Sequence, residues 1–250
     1  MAPFVQLLLA APTYGPAHAP GAPRHFQPLP GTIAEGKALQ RLLPRAKLFT
    51  GAQATEGALQ AAAGPSLLHI ATHGFFVADL PAESILRSAR GAELMGDASG
   101  DPPQPAAQVP HPLLRSGLAL AAANRPAGPA GDGLLTALEA VDLDLRGTQL
   151  VVLSACQTAL GDVEPGLSVA GLTSSVQAAG AQSTVLSLWQ VDDEATRALM
   201  LAFYRGLLEG LPRGQALRRA QAAIAARPMW RHPFYWAAFI VNGEDGPVRF

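Results

Sequence analysis

One cysteine among 250 residues, Cys156, leaves no partner for an internal disulfide and too few thiols for a cysteine-built zinc site. The thiol is therefore structural or reactive, and a disulfide-stapled secreted scaffold is excluded. Charge is equally sparse: 18 Lys and Arg against 19 Asp and Glu leave a net −1, so the cationic surplus that grips nucleic acid phosphates is missing. Nucleic acid is not an expected partner. Long apolar runs are absent too. Stretches such as Leu150–Leu153 fall far short of the roughly 18–20 residues that cross a bilayer, so no membrane span is expected. The start, Val5 to Ala11 and on to Ala17-His18-Ala19, is as apolar as a signal peptide but lacks its basic leading segment, and it reads as a first buried strand. A cytoplasmic location is expected.

What the chain does hold is apolar residue, 49%, punctuated by 25 Gly and 22 Pro, the make-up of a globular chain with a generous core. Phe4 to Leu9 reads as a strand closed by Ala-Ala-Pro. Thr32, with Glu35 three residues on, is an N-cap candidate for a helix carrying Leu39, Leu42 and Leu43 up to Pro44. Ala46 to Thr50 is a strand, and Thr55 caps a short helix. Ser66 to Thr72 is a continuous apolar strand that ends at His73-Gly74. Residues 77–116 read as a long loop, followed by a strand or hairpin arm over Ser116 to Ala122 and a short helix over Leu134 to Ala140.

Gln149 to Ser154 is the clearest core strand and stops just before Cys156. Ser168 to Ala179 is helical, Gln182 to Leu188 is a strand, and Asp192 to Leu208 is a helix whose Asp192, Asp193 and Glu194 suit the positive end of its dipole. A further helix over Gly214 to Ala226 and a last strand over Tyr235 to Val241 complete the alternation. The expected fold is α/β: one domain over 1–250, its core about 4–243, with a mainly parallel sheet of about six to seven strands covered by helices on both faces.

Ligands of such sheets bind at the carboxyl ends of strands, where this sequence sets His73 on one strand and Cys156 on another. A thiolate beside an imidazole can perform acyl transfer without a metal or any other cofactor. Gly74 and Cys156 could offer backbone N–H groups to the developing oxyanion. The alternative stays open that Cys156 is a small buried hydrophobe and His73 only a strand terminus. His69, four residues before His73 on the same strand, invites a metal reading, but with no third ligand nearby it reads better as a satisfied core histidine. Gly166-Leu-Ser-Val-Ala170 resembles a serine-hydrolase nucleophile turn but follows no apolar strand. His18, His25, His111 and His232 lie beside prolines or in loops and read as surface or packing residues.

Leu68-His-Ile-Ala-Thr-His-Gly-Phe-Phe76 and Leu150-Val-Val-Leu-Ser-Ala-Cys-Gln-Thr158 resemble the paired signature of CHAT domains, caspase-like modules related to the cysteine protease separase. The similarity continues through Pro112 to Leu120, Ser187 to Ala195, Ala216 to Gln221 and His232 to Phe239. This resemblance implies a caspase-like sandwich, with Cys156 as nucleophile and His73 as general base and acid. The activity it implies is that of an endopeptidase acting on a protein substrate through a thioester. It also implies that an acid in the loop after the next strand selects a basic side chain before the scissile bond. Asp192, or less favourably Asp193, fills that place, with Trp189 as a wall of the pocket or as core. The chain departs from the pattern at Pro165-Gly-Leu-Ser-Val169, which lacks the acid of the usual Gly-Glu-Gly turn, and offers no evident third group to orient His73.

The resemblance also implies helical repeats upstream, whereas this sequence starts close to its first strand; it reads as a stand-alone module, as a shortened product, or as the partner of a separately encoded regulatory protein with such repeats. Two other readings stand beside the protease: a slow or inactive caspase-like interaction module, and an esterase or transpeptidase using the same thiol.

Overall fold

The computed structural model describes residues 6–15, 26–77, 112–114, 116–125, 132–154, 156–160, 167–189 and 191–250, and of residues 76–77, 112, 156–160 and 167–170 the backbone alone. Most of the expected loop, with His18, His25, His111 and the turn at Gly166, lies outside the described residues.

Six strands form the main sheet: β1 (Gln6–Pro12), β2 (Lys47–Gly51), β3 (Leu67–Ala71), β7 (Leu150–Leu153), β9 (Ser183–Ser187) and β10 (Phe239–Gly243), in the order β10-β9-β7-β3-β1-β2. All neighbours are parallel except β10, which runs antiparallel to β9 at one edge. Successive residues of a strand point to opposite faces, and the apolar runs supply both sides. Leu8, Leu67, Leu150, Val152 and Val185 join a core built with α1 (Pro30–Leu42), α5 (Asp193–Leu208) and α6 (Arg213–Ala225). Leu7, Leu9, Leu68, Ile70, Val151 and Leu153 face the other way, toward α2 (Glu56–Gln60), α3 (Ala137–Ala140) and α4 (Leu167–Ala178). The expected α/β sandwich with helices on both faces is what forms.

A second sheet of four strands was not expected. Its order is β6-β5-β4-β8, from β4 (His73–Val77), β5 (Ser116–Ala119), β6 (Leu134–Thr136) and β8 (Cys156–Leu160). Two strands of the main sheet run on into it. The last pair of β3 and β7 is Ile70↔Leu153, and the first pair of β4 and β8 is His73↔Cys156, three residues further along each strand. Ser154 N–H donates to Ile70 O at 2.9 Å between the two pairs. Cys156 therefore opens a new strand as well as following an old one.

Other differences have local causes. Thr32 does not cap α1: the helix already runs from Pro30, the Thr32 hydroxyl donates to Leu29 O at 2.8 Å, and Glu35 turns into the core. The expected helix over Leu134–Ala140 is split, because Leu134–Thr136 pairs with β5 and only Ala137–Ala140 is helical, capped reciprocally by Thr136 and Glu139. The expected last strand starts late, at Phe239, after a short 3-10 turn over Pro233–Tyr235. Thr55 does cap α2, accepting from Ala58 N–H at 3.1 Å.

Gly117 of β5 is placed where side chains are excluded: a Cβ there would lie 2.7 Å from Phe75 Cζ and 2.8 Å from Thr136 Cα. Gly117→Ala is expected to cost about 1–3 kcal/mol through overpacking against backbone. Urea denaturation read by tryptophan fluorescence checks this; an unchanged midpoint would contradict the tight β5–β6 approach.

Candidate active site

His73 is the first residue of β4 and is 7% exposed. Its ring completes a triangle with two aromatic rings, the Tyr14 centroid at 5.4 Å and the Phe26 centroid at 5.6 Å, which are 5.7 Å from each other. Nε2 is 2.8 Å from the carbonyl oxygen of Gln27. A carbonyl only accepts, so the proton of the neutral ring sits on Nε2 and the lone pair on Nδ1. Nδ1 is buried and has no hydrogen-bond partner among the described residues. The group that orients the His73 ring, for which the sequence offered no candidate, is thus a main-chain oxygen.

That oxygen is itself held. Asn124, 1% exposed, accepts from Phe26 N–H at 2.8 Å and donates to Phe26 O at 2.9 Å and to Gly15 O at 3.4 Å. The amide clamps the residue before Gln27 on both its polar sides. On the backbone side of His73, its N–H meets the Tyr14 hydroxyl. That hydroxyl donates to Thr72 Oγ1 at 2.8 Å, and Thr72 donates in turn to Ala119 O. Burial pushes the Tyr14 phenol up to about 12, so it stays a neutral donor.

Burial lowers the basicity of His73 below the ordinary imidazole value, against the Gln27 hydrogen bond and the negative charge of Asp193, which both favour the charged ring. Asp193 stands at the start of α5 yet accepts from Gly31 N–H of α1. Residue 31 must be glycine for this approach, since a Cβ would overlap the Asp193 carboxylate. α1 has no side-chain cap of its own, and the carboxylate from α5 meets one of its free amides. Burial and the charges of Asp192 and Glu35 raise the Asp193 pKa.

The other sequence candidates fall as follows. His73 and Cys156 are Cα partners on adjacent parallel strands, which lie about 4.8 Å apart. Gly74 is flanked by Leu118 and Gln157 and is engaged by its neighbours. Asp192 Oδ1 accepts from Ala195 N–H at 2.9 Å as the N-cap of α5. Trp189 is half-buried against the core and donates to Phe234 O at 3.1 Å. His69 is fully buried, with Nδ1 3.0 Å from the Tyr204 hydroxyl and Nε2 3.0 Å from Glu35 Oε1, while Ser154 donates to Glu35 Oε2 at 3.3 Å. His69 is thus a core histidine, hydrogen-bonded at Nδ1 and facing the Glu35 carboxylate at Nε2 without a hydrogen bond of regular geometry there. It lies on β3 of the main sheet, whereas His73 opens β4 of the second sheet, so the two are not on one continuous strand. Asn124, Gln27 and Gly31 carried no signal by residue type; only the order of the strands brings them to His73.

A six-stranded, helix-covered sheet whose two central strands deliver a histidine and a cysteine side by side defines an α/β sandwich of the caspase kind. A model of the CHAT domain matches residues 2–244, and the chain belongs to this family, which is related to caspase-like cysteine proteases. Tetratricopeptide repeat protein 28 of Mus musculus is 39% identical over 117 residues, which is 47% of this chain and 5% of that protein. Its counterpart in Homo sapiens is 38% identical over the same length and shares. The chain thus spans only a small part of these relatives. No helix among the described residues is long and apolar enough to cross a membrane.

Asn124→Ala leaves the amide and carbonyl of Phe26 buried without partners, and each unsatisfied group costs about 1–3 kcal/mol. Chemical denaturation is expected to show a loss of at least that size; a loss under about 0.5 kcal/mol would mean the clamp contributes little. A second expectation concerns pH. The folded His73 holds its proton less tightly than the ordinary value of 6.5, so the unfolded chain takes up that proton first as the pH falls. This contribution to stability is complete above pH 6.5 and declines as the pH falls through and below it. Wild type is expected to lose more stability than His73→Gln between pH 7 and pH 5; equal slopes would contradict a buried neutral imidazole.

Proposed function

We propose that the protein is a cysteine endopeptidase in which Cys156 attacks a peptide carbonyl and His73 moves the proton. The observation that carries this reading is the pairing of His73 with Cys156 across adjacent strands while Nε2 is fixed on Gln27 O and Nδ1 has no partner among the described residues.

In the first step Nδ1 takes the thiol proton and the sulfur bonds to the carbonyl carbon, moving the π electrons onto oxygen. The resulting oxyanion needs N–H donors, for which Gly74 and Cys156 are the candidates. Gly74 already has an interaction, and a substrate oxyanion would compete with it. Collapse expels the amine, which leaves with the proton from the imidazolium, and a thioester remains. Water then gives a proton to Nδ1, adds to the thioester, and releases the carboxylic acid as the thiol regains its proton. The Gln27 carbonyl keeps its hydrogen bond to Nε2 throughout, and the Asp193 charge offsets part of the desolvation of the imidazolium. The same steps serve an ester, so the substrate class distinguishes peptidase from esterase.

A preference for Arg or Lys before the scissile bond rests on the acidic pair after β9. Each of the two already accepts one backbone N–H, and Asp193 is the better supported because its charge alone is felt at His73. Trp189 remains a candidate wall for that pocket.

The second reading, an interaction module with slow or absent turnover, is supported by the 7% exposure of His73. The relatives' repeat-protein names are compatible with a helical-repeat partner.

Labelling with acyloxymethyl ketones carrying Arg, Lys, Asp or Leu separates these readings. Wild type is expected to react with the basic probes, Cys156→Ala not at all, and His73→Ala at least ~100-fold more slowly. Asp193→Asn should lower the preference for basic over Leu probes more than Asp192→Asn does. A folded wild type that reacts with no probe supports the interaction module, and equal labelling of His73→Ala and wild type overturns the dyad.

A further inference from the structure

A second recess lies outside the His73 site, between α1 and α5. It has a volume of about 620 Å³, and Arg227 and Trp230 also line it. The two helices line it with matching ladders. On α1, Ile33, Lys37 and Arg41 follow one another at four-residue spacing, and on α5 Arg197, Leu201 and Arg205 do the same. Between these rows Ala34, Ala38 and Ala198 leave a shallow, partly apolar floor.

The walls carry five cationic groups, Lys37, Arg41, Arg197, Arg205 and Arg227, against one carboxylate, Glu194. None of the five is in an ion pair among the described residues. Arg227 instead stacks over the Trp230 ring, 5.0 Å from its centroid. The whole chain has a charge of −1, so this groove is a local concentration of positive charge. Uncompensated charges of one sign along a cleft attract a ligand of the other sign.

We propose that this groove is a docking site for an acidic, amphipathic peptide segment of a partner protein, with apolar side chains on the alanine-lined floor and carboxylates against the basic rows. Nucleic acid fits less well. Single strands are held by stacking on free aromatic faces, and the one indole here has a face already covered by Arg227. The proposal does not depend on the protease reading. The groove does share α1 with the active site, since Gln27, which orients His73, lies just ahead of that helix.

The test is fluorescence anisotropy with three labelled probes: an amphipathic Leu/Glu 12-residue peptide, its Glu→Gln counterpart and a 12-residue oligothymidine. Wild type is expected to bind the Glu peptide saturably and at least about tenfold more tightly than the Gln peptide, with an affinity that falls as salt is raised. The double variant Arg41→Glu/Arg205→Glu should lose at least about tenfold in affinity for the Glu peptide, whereas Arg218→Glu, outside the groove, should not. Arg41, Arg205 and Arg218 are exposed, and unchanged thermal unfolding confirms that the variants fold. The proposal is overturned by absence of saturable binding, by equal affinity for the Gln peptide, by equal loss in Arg218→Glu, or by tighter binding of oligothymidine.

Discussion

Everything that makes this molecule a candidate catalyst depends on one stretch of strand pairing that survives a change of sheet. β3 and β7 are central, parallel neighbours in the main sheet, fully buried and locked in register by their apolar faces. Both leave that sheet and take the same number of residues to reach the second one, so the register persists. A slip of one residue on either strand would put a different residue opposite His73. The small sheet is therefore a continuation of the large one, with β5 and β6 fastening its far side.

The sequence made the main features of this arrangement legible and hid the rest for identifiable reasons. His73 and Cys156 each follow a run of apolar residues that could only be a buried strand, and the paired motifs around them pointed to the family. The second sheet left no such mark. Thr72 and Ser154, where the strands leave the main sheet, are neither Gly nor Pro, so nothing in the local pattern announces a break. Glu35 had the spacing of a capping box, yet its carboxylate meets His69, which a one-dimensional pattern cannot reveal. Asn124 and Phe26 bond across 98 positions of sequence. Gln27 was beyond reach altogether, because what it contributes is a carbonyl oxygen that every residue possesses.

Two histidines four residues apart illustrate how surroundings set roles. His69 is enclosed on both ring nitrogens by Glu35 and Tyr204, tying β3 to α1 and α5. Its Nδ1 meets the Tyr204 hydroxyl and its Nε2 lies against the Glu35 carboxylate, so both ring nitrogens are turned to protein groups. His73 has Nε2 on the Gln27 carbonyl and, among the described residues, no partner at Nδ1. Both rings are buried, and it is what stands beside each nitrogen, a carboxylate and a phenol in one case and a carbonyl in the other, that separates them.

The choice of a main-chain carbonyl to orient His73 changes how the site can be damaged. A side-chain carboxylate in that place could be lost by a single substitution of the residue that bears it. The Gln27 oxygen cannot, because every replacement at position 27 brings the same oxygen. The weak point is displaced to whatever fixes the local path of the chain, namely the Asn124 amide and the rings of Tyr14 and Phe26. Variation at position 27 itself should thus be nearly silent for the imidazole, while Asn124, far away in sequence and 1% exposed, fixes the chain path that orients the ring.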